Sequence, residues 1–296
     1  MNPVSRRLFL GASAAAAGAA TLPAHGAVAA ESAGKLPGQT PHTKFAVNVE
    51  MWFTDLPFLD RLRASAKLGF PAVEFWPWDN KDLKAVADVS KELNLAIAQF
   101  TAWGFEPGMN DPKNHQAFVE AVDKGCEVAK QLDCKLMTVV GGNDQRGMTQ
   151  EQMHENIITG LKLAAPIAEK NDVTLILEPM NIRVDHKGHC LYGSEKAVRI
   201  CRAVGSTHVK INWDLYHMQI SEGDLCGRLK DGFDQVGYLQ LADNPGRNEP
   251  GTGEIHYNRV LRQAKELGYT GYVGLECRPR DGEQKAAERV AAADVW

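Results

Sequence analysis

The sequence has no long run of charges of one sign, and its formal net charge is only −4 at pH 7. Proteins that bind nucleic acids through the phosphate backbone carry a basic patch or stripe. The composition, 44% hydrophobic and 24% charged, is that of an ordinary globular protein. We therefore expect no nucleic-acid partner for this chain.

The six cysteines include no Cys-x-x-Cys pair and are scattered between Cys126 and Cys277. This spacing argues against a zinc ribbon or a thioredoxin-type redox motif. Their even number allows disulfides if the chain reaches an oxidising compartment. Cysteine is also a common small core residue, and buried thiols are the interpretation that we favour for most of the six.

No segment is apolar over the roughly 20 residues that a membrane-spanning helix requires, but the first thirty residues follow the order of a signal peptide. Arg6 and Arg7 stand in a charged region, an Ala/Gly stretch follows at 11–20, and a small-residue cleavage site lies at 27–29. The paired arginines resemble the twin-arginine signal, which implies export of the folded protein to the periplasm or beyond by the twin-arginine machinery. The alternative is a chance Arg-Arg pair before an Ala-rich disordered tail.

This pattern predicts three segments of very different length. We interpret 1–30 as a twin-arginine signal peptide, 31–43 as a linker and 44–296 as a single catalytic domain. A barrel built from eight β/α units usually takes about 250 residues as one unit, which fits the length of the third segment.

From residue 45 onward, short apolar runs alternate with amphipathic stretches at helical spacing. Several of the runs are apolar almost throughout, as is typical of strands buried on both faces. The predicted strands are 45–53, 72–78, 95–102, 135–142, 174–180, 209–215, 237–244 and 272–279.

Four of the predicted helices end at a residue that stops a helix just before the next strand: Gly69, Asn94, Asp133 and Gly268. Eight alternating strands and helices fit either a closed parallel barrel or a doubly wound sheet. No Gly-x-Gly-x-x-Gly fingerprint follows the first strand, which argues against a dinucleotide-binding sheet. The expected fold is therefore α/β, a (β/α)8 barrel.

The last four predicted strands each end with an oxygen-bearing side chain in an otherwise apolar run: Glu178, Asp214, Gln240 and Glu276. Consecutive members are 36, 26 and 36 residues apart, about one β/α unit each. Because the chemistry of such barrels lies at the carboxyl ends of the strands, we expect these four side chains to converge at the barrel mouth.

Three carboxylates in one apolar place repel each other, and a bound cation is the simplest remedy. A ligand set made only of oxygen atoms suits a hard ion, so we predict Mg²⁺ or Mn²⁺ rather than Zn²⁺. The alternative for individual carboxylates is an ion pair with a nearby guanidinium such as that of Arg247 or Arg278.

These strand ends also carry a family resemblance. The segments that resemble the hydroxypyruvate isomerases, a family of xylose-isomerase-like TIM barrels, are 178–181 (EPMN), 214–217 (DLYH), 240–255 (QLADNPGRNEPGTGEI) and 274–276 (GLE). The resemblance extends from about residue 45 to 279, and 242–255 is its most specific part. Related ketose 3-epimerases tend to have His where this chain has Gln240.

The resemblance implies that Glu178, Asp214, Gln240 and Glu276 hold the divalent metal and that Glu178 and Glu276 move the proton. It also suggests that His217 binds a substrate oxygen, although a structural loop histidine is an alternative. Arg247 is positioned to bind a substrate carboxylate, and the alternative is an arginine that faces solvent.

Glu74 ends the second predicted strand and is a further candidate for substrate contact. Five tryptophans lie near predicted strand ends, either as aromatic walls of a substrate site or as packing under the loops: Trp52, Trp76, Trp78, Trp103 and Trp213.

The implied activity is the isomerisation of hydroxypyruvate to tartronate semialdehyde by proton transfer through an enediol. Alternatives are an exported ketose epimerase or keto-sugar lyase with the same metal and glutamates, and a sugar-binding barrel without catalysis. A small hydroxy-keto acid or sugar is the expected partner, and the sequence leaves a homo-oligomer open.

Overall fold

The computed structural model describes residues 35–296, and the proposed signal peptide lies outside the described residues. Each of the eight predicted strands is present, and together they close into a barrel. The strands are β1 (Lys44–Asn48), β2 (Ala72–Phe75), β3 (Ala96–Trp103), β4 (Leu136–Val140), β5 (Thr174–Glu178), β6 (Val209–Asp214), β7 (Val236–Leu241) and β8 (Tyr272–Leu275). Every strand pairs in parallel with the next one along the chain, and β8 pairs with β1.

Helices follow the strands and cover the outside of the barrel. They are α1 (Phe58–Lys67), α2 (Leu83–Glu92), α3 (His115–Leu132), α4 (Gln150–Lys170), α5 (Ser194–Val204), α6 (Leu215–Ser221), α7 (Leu225–Gly232), α8 (Tyr257–Glu266) and α9 (Glu283–Ala293). Short 3₁₀ turns occupy Pro112–Asn114 and Phe233–Gln235. The α/β barrel expected from the sequence is therefore confirmed.

The predicted helix stops are also confirmed, because all four adopt the left-handed backbone conformation that closes a helix. The φ angles are 89° at Gly69, 50° at Asn94, 50° at Asp133 and 99° at Gly268. Several strands end earlier than predicted, as at β2, which ends at Phe75 rather than at residue 78. Pro77 lacks the N–H that a continued ladder needs, and the following chain turns toward the barrel mouth.

Side chains alternate between the barrel interior and the layer under the helices. On β1, Phe45 and Val47 belong to the large core between strands and helices, whereas Ala46 packs in a second cluster. That interior cluster consists of Ala46, Ala72, Ala98, Ile176 and Tyr238. Small alanines on three neighbouring strands leave room for the large Tyr238 ring inside the barrel.

Residues 35–43, part of the predicted linker, form turns that bond to the barrel. The N–H of Gly38 donates to the carbonyl of Leu68 at 2.9 Å, and the Asp294 carboxylate accepts from the N–H groups of His42 and Thr43. Among residues 35–296, no helix is both long enough and apolar enough to cross a membrane. All six cysteines are free thiols, five of them buried, as favoured from the sequence.

Candidate active site

Three of the four predicted strand-end ligands meet at the barrel mouth. Glu178 is the last residue of β5, Asp214 is the last residue of β6, and Glu276 directly follows β8. We call these three residues the carboxylate cluster. One oxygen of each lies within 4.8 Å of the others and of a ring nitrogen of His217. All four side chains are buried.

Asp214 is held by its place between a strand and a helix. It is the N-cap of α6, and its Oδ1 accepts the N–H of Tyr216 at 2.8 Å. Its Oδ2 has no hydrogen-bond partner among the described residues and lies 3.5 Å from Nε2 of His217. The cap therefore fixes one oxygen and directs the other into the cluster.

The cluster is short of positive charge. Burial raises the pKa of Glu178 well above its usual value, and the nearby Glu276 and Asp214 raise it further. Burial and then Glu276 likewise raise the pKa of Asp214. Close, water-excluded carboxylates hold protons tightly unless a cation compensates their charge.

Arg247 supplies part of that compensation. Its Nη2 lies 2.7 Å from Oε2 of Glu276 and 3.7 Å from Oδ2 of Asp214, and its Nη1 lies 3.8 Å from Oδ1 of Asp185. Burial alone would lower the pKa of Arg247, but these carboxylates raise it. The guanidinium therefore stays charged, with about a fifth of its side chain exposed at the cavity (19%).

The loop that carries Arg247 is organised around one buried side chain. Asp243 follows β7 and is fully enclosed, and its carboxylate accepts the backbone N–H groups of Asn244, Gly251, Thr252, Gly253 and Ile255 at 2.8–3.1 Å. This accounts for Asp243 and for two glycines of the 242–255 segment, because Gly251 has a φ of 84° and a side chain at Gly253 would meet the carbonyl of Asn244. Arg247 itself has a φ of 54°, the left-handed conformation.

A cavity of about 670 Å³ opens above the cluster. The residues that we call the charged wall are Glu178, His217, Arg247 and Glu276, and those that we call the aromatic wall are Trp76, Trp78, Trp103 and Phe105, with Asp79 and Glu106 beside them. Trp76 joins the two walls, because its Nε1–H donates to Oε1 of Glu276 at 3.0 Å. The other two tryptophans noted in the sequence, Trp52 and Trp213, are fully buried in the core.

Gln240 and Glu74 lie in a separate, fully buried network rather than at the cavity surface. Gln240 donates from Nε2 to Oε1 of Glu74 at 2.8 Å, and its Oε1 accepts from Asn212 at 2.6 Å. Tyr238 and Asn48 also donate to the Glu74 carboxylate. Burial, then the charge of Glu276, raise the pKa of Glu74 to about 7.

The role of Glu74 in substrate contact stays a prediction. None of its surface is exposed, and it is not among the residues that line the cavity. Gln240 is the ladder partner of Asp214, yet both polar atoms of its amide are engaged by Glu74 and Asn212. Its assignment as a metal ligand remains a prediction.

Three site residues were not assigned a role from the sequence. Asn181 hydrogen-bonds His217, the ring of His186 lies 5.3 Å from that of His217, and Phe105 stacks on His186 at 4.8 Å. Asn181 lies in the EPMN segment, whose family resemblance could have indicated a site residue at this position. His186 and Phe105 lie in loops, where no periodicity marks them.

The residues present fit a divalent cation. Buried oxygen donors that repel each other, one of them without a hydrogen-bond partner among the described residues, are the arrangement that a hard ion stabilises. The ligands nearest at hand are Glu178, Asp214 and Glu276. No feature of the three carboxylates distinguishes Mg²⁺ from Mn²⁺.

Comparison with known proteins agrees with this geometry. Residues 62–294 match the model of the xylose isomerase-like TIM barrel family. The chain is 33% identical to the hydroxypyruvate isomerase of Escherichia coli over 244 residues, which cover 80% of this chain and 94% of that protein. It is also 33% identical to the 2-oxo-tetronate isomerase of Cupriavidus necator over 248 residues, with 81% and 94% covered.

Among solved structures, the AP endonuclease family 2 protein of Brucella melitensis is similar, with a TM-score of 0.78 and 29% identity. That match covers 82% of this chain and 96% of the other. The resemblance seen at the strand ends thus extends through the whole barrel, and the chain belongs to the xylose isomerase-like TIM barrel family.

Proposed function

We propose that this protein is a metal-dependent isomerase that moves a proton between adjacent carbons of a small 2-oxo acid of the hydroxypyruvate type. The observation that carries the proposal is the placement of Glu178 and Glu276 in one buried cluster on the same cavity wall. Similarity to hydroxypyruvate and 2-oxo-tetronate isomerases supports the substrate class.

In this reaction a C–H bond breaks at one carbon, a C–H bond forms at its neighbour, and the hydroxyl and carbonyl oxygens exchange roles through an enediol. Two carboxylates beside the substrate supply the acid and the base. Glu276 is held by Trp76 and Arg247. Glu178 lies at the end of β5 and lines the same cavity.

Mg²⁺ or Mn²⁺ held by Glu178, Asp214 and Glu276, with Gln240 as the fourth predicted ligand, would act as a Lewis acid for the negative charge that develops on the enediol oxygens. Arg247 faces the same space and would bind the substrate carboxylate with its planar guanidinium. His217 would donate a hydrogen bond to a substrate oxygen.

A ketose or keto-sugar epimerase is the second candidate, and the size of the cavity favours it. At about 30 Å³ per water molecule, 670 Å³ holds roughly twenty waters, far more than a three-carbon acid displaces. The aromatic wall offers flat apolar surface to a hydroxylated ring. The same two glutamates would then move a proton on and off one carbon.

The decisive experiment is proton exchange followed by NMR in D₂O. Chelated protein is given Mg²⁺ or Mn²⁺, then hydroxypyruvate, 2-oxo-tetronate and a set of ketoses. We expect metal-dependent deuterium uptake at carbon together with conversion of the acid, and a loss of about 10³-fold in Glu178→Gln. Glu155→Gln, an exposed change on α4, is the control and should match the unaltered protein.

Exchange on a ketose but not on either acid would contradict the proposed substrate class and favour the epimerase. No exchange on any compound, with the metal demonstrably bound, would contradict both enzymes and indicate a sugar-binding barrel.

We also propose export through the twin-arginine pathway, supported by Arg6-Arg7, the Ala/Gly stretch and the cleavage site that follows. Replacing both arginines by lysine should keep the protein in the cytoplasm when cell fractions of a bacterial host are compared by immunoblot. An unchanged distribution between cytoplasm and periplasm would contradict the proposal.

A further inference from the structure

The side-chain amide of Asn181 has one orientation that the hydrogen bonds allow. Its Oδ1 accepts the backbone N–H groups of Val184 at 3.0 Å and Asp185 at 3.2 Å. In the reversed orientation the two backbone N–H groups would face the NH₂ group of the amide. That group is also a donor, so neither hydrogen bond could form. The oxygen therefore faces the 184–185 backbone, and the nitrogen faces the other way.

That nitrogen has two hydrogens and two acceptors. Nδ2 of Asn181 lies 2.7 Å from Oδ2 of Asp185 and 2.8 Å from Nδ1 of His217. Nδ1 must therefore accept, which means that it carries no proton. A neutral imidazole has one N–H, so the proton of His217 is on Nε2. A doubly protonated ring would also carry an N–H at Nδ1, and that N–H would face the donor of Asn181. The hydrogen bond therefore disfavours the charged ring as well.

Nε2 is the ring atom that faces the reaction site. It lies 3.5 Å from Oδ2 of Asp214 and 3.9 Å from Oε1 of Glu178, and it has no hydrogen-bond partner among the described residues. His217 borders the cavity at this point. A protonated Nε2 offers a donor to that space, whereas metal coordination would require its lone pair.

We propose that Asn181 is a positioning residue that fixes His217 in the Nε2–H tautomer, as a hydrogen-bond donor beside the carboxylate cluster and not as a fourth ligand in it. The catalytic consequence rests on the proposed function: a neutral donor can stabilise the oxygen that becomes negative in the enediol without giving up its proton.

The tautomer can be measured without any substrate. In ¹⁵N NMR of histidine-labelled protein, with His217 assigned by its loss in His217→Leu, we expect Nδ1 at a pyridine-type shift and Nε2 at a pyrrole-type shift. In Asn181→Leu the side chain has no hydrogen to donate, so Nδ1 is no longer held as an acceptor and the pyridine-type shift should be lost or mixed with a pyrrole-type shift. Val184→Ala removes an exposed side chain from the same loop but keeps the backbone N–H that Oδ1 of Asn181 accepts, and it should keep the pattern of the unaltered protein.

Metal affinity gives a second readout that does not depend on turnover. His217→Leu should lose at most about 100-fold in Mn²⁺ affinity, measured by electron paramagnetic resonance, because that is the range for a residue that only supports the ligands. On the substrate that passes the exchange test, kcat should fall about 10²–10³-fold in His217→Leu. KM should change little, and His217→Gln, which can present an N–H there, should restore much of the turnover.

A pyrrole-type Nδ1 in the unaltered protein would overturn the proposal. So would a loss of Mn²⁺ affinity well above about 100-fold in His217→Leu, because that exceeds the cost of losing a residue that only supports a ligand and would make His217 a ligand. Either result leaves the isomerase assignment standing, since that depends on exchange at the substrate carbon. Failure of exchange, in turn, leaves the tautomer measurement intact.

Discussion

The two walls of the cavity come from different halves of the barrel. The charged wall follows β5 to β8 and gathers carboxylates, an arginine and a histidine. The aromatic wall follows β2 and β3 and presents Trp76, Trp78, Trp103 and Phe105. In a barrel whose loops can vary independently, this division would, under the proposed function, separate the residues that move the proton from those that contact the rest of the substrate. The charged wall can therefore serve different carbon chains if the aromatic wall changes.

The largest effect is expected where the carboxylate cluster behind the charged wall loses one negative charge. Asp214→Asn keeps an N-cap residue that α6 accepts but removes a carboxylate from the cluster. Turnover should fall at least about 10³-fold and Mn²⁺ affinity at least about tenfold, with little change in the free energy of unfolding of the metal-free protein. Stopped assays, metal titration and urea unfolding measure the three quantities, and retention of Mn²⁺ affinity would exclude Asp214 as a ligand.

Glu74 does not fit the division into a charged and an aromatic wall. It is a carboxylic acid on β2 that lines neither wall. Its pKa is about 7 in the folded protein against an ordinary 4.5, because of burial and then the charge of Glu276. The folded state therefore holds this proton more tightly than the unfolded chain. The resulting stability is fully present below about pH 4.5 and is lost as the pH rises to about 7, a difference of roughly 3 kcal/mol.

Urea unfolding of the metal-free protein and of Glu74→Gln, at several pH values between 4.5 and 7.5, measures this difference. As the pH rises, the free energy of unfolding of the unaltered protein should fall relative to that of the variant. A constant gap between the two across this range would show that Glu74 is already ionised at pH 4.5.

Arg247→Lys sharpens the comparison by keeping the charge and removing the planar guanidinium. On a substrate with a carboxylate we expect kcat/KM to fall about 10–100-fold, because two parallel hydrogen bonds cannot form with an ammonium group. On a neutral ketose the fall should be smaller. Equal losses on both substrates would mean that Arg247 serves Glu276 and Asp214 rather than the substrate carboxylate.

The smallest effect belongs to the aromatic wall. Trp78→Ala should raise KM about 2- to 10-fold, the equivalent of about 0.5–1.5 kcal/mol of lost contact, while kcat stays nearly constant. Trp78→Phe, which keeps a ring, is the matched control. If steady-state kinetics showed that Trp78→Ala lowers kcat instead, this wall would take part in the reaction and not only in binding.

The barrel could be predicted because its signals are local. A helix stop such as Asn94 or Gly268 acts through its own backbone angle, and a strand buried on both faces is apolar residue by residue. The convergence of Glu178, Asp214 and Glu276 also followed from sequence, since a parallel barrel brings all strand ends to one rim. Each of these inferences needs only the order of elements.

Depth within the barrel could not be predicted in this way. Alternation places Glu74 and Gln240 inside, but their height relative to the rim depends on strand stagger, which the sequence does not display. Asn212, given no role from the sequence, is the residue that engages Gln240. Loop residues such as His186 and Phe105 reach the site through the path of the chain, which no periodic pattern encodes.

The five N–H groups gathered on Asp243 have a consequence for binding. A loop held in this way gives up its conformational freedom when the protein folds, so little backbone entropy is left to be lost when a ligand reaches Arg247. The segment between Asp243 and Ile255 thus holds the backbone of Arg247 in place, while the guanidinium at its end pairs with Glu276. The affinity for a ligand at this wall then depends on the contacts that the guanidinium makes. The entropy cost of ordering the loop backbone contributes little.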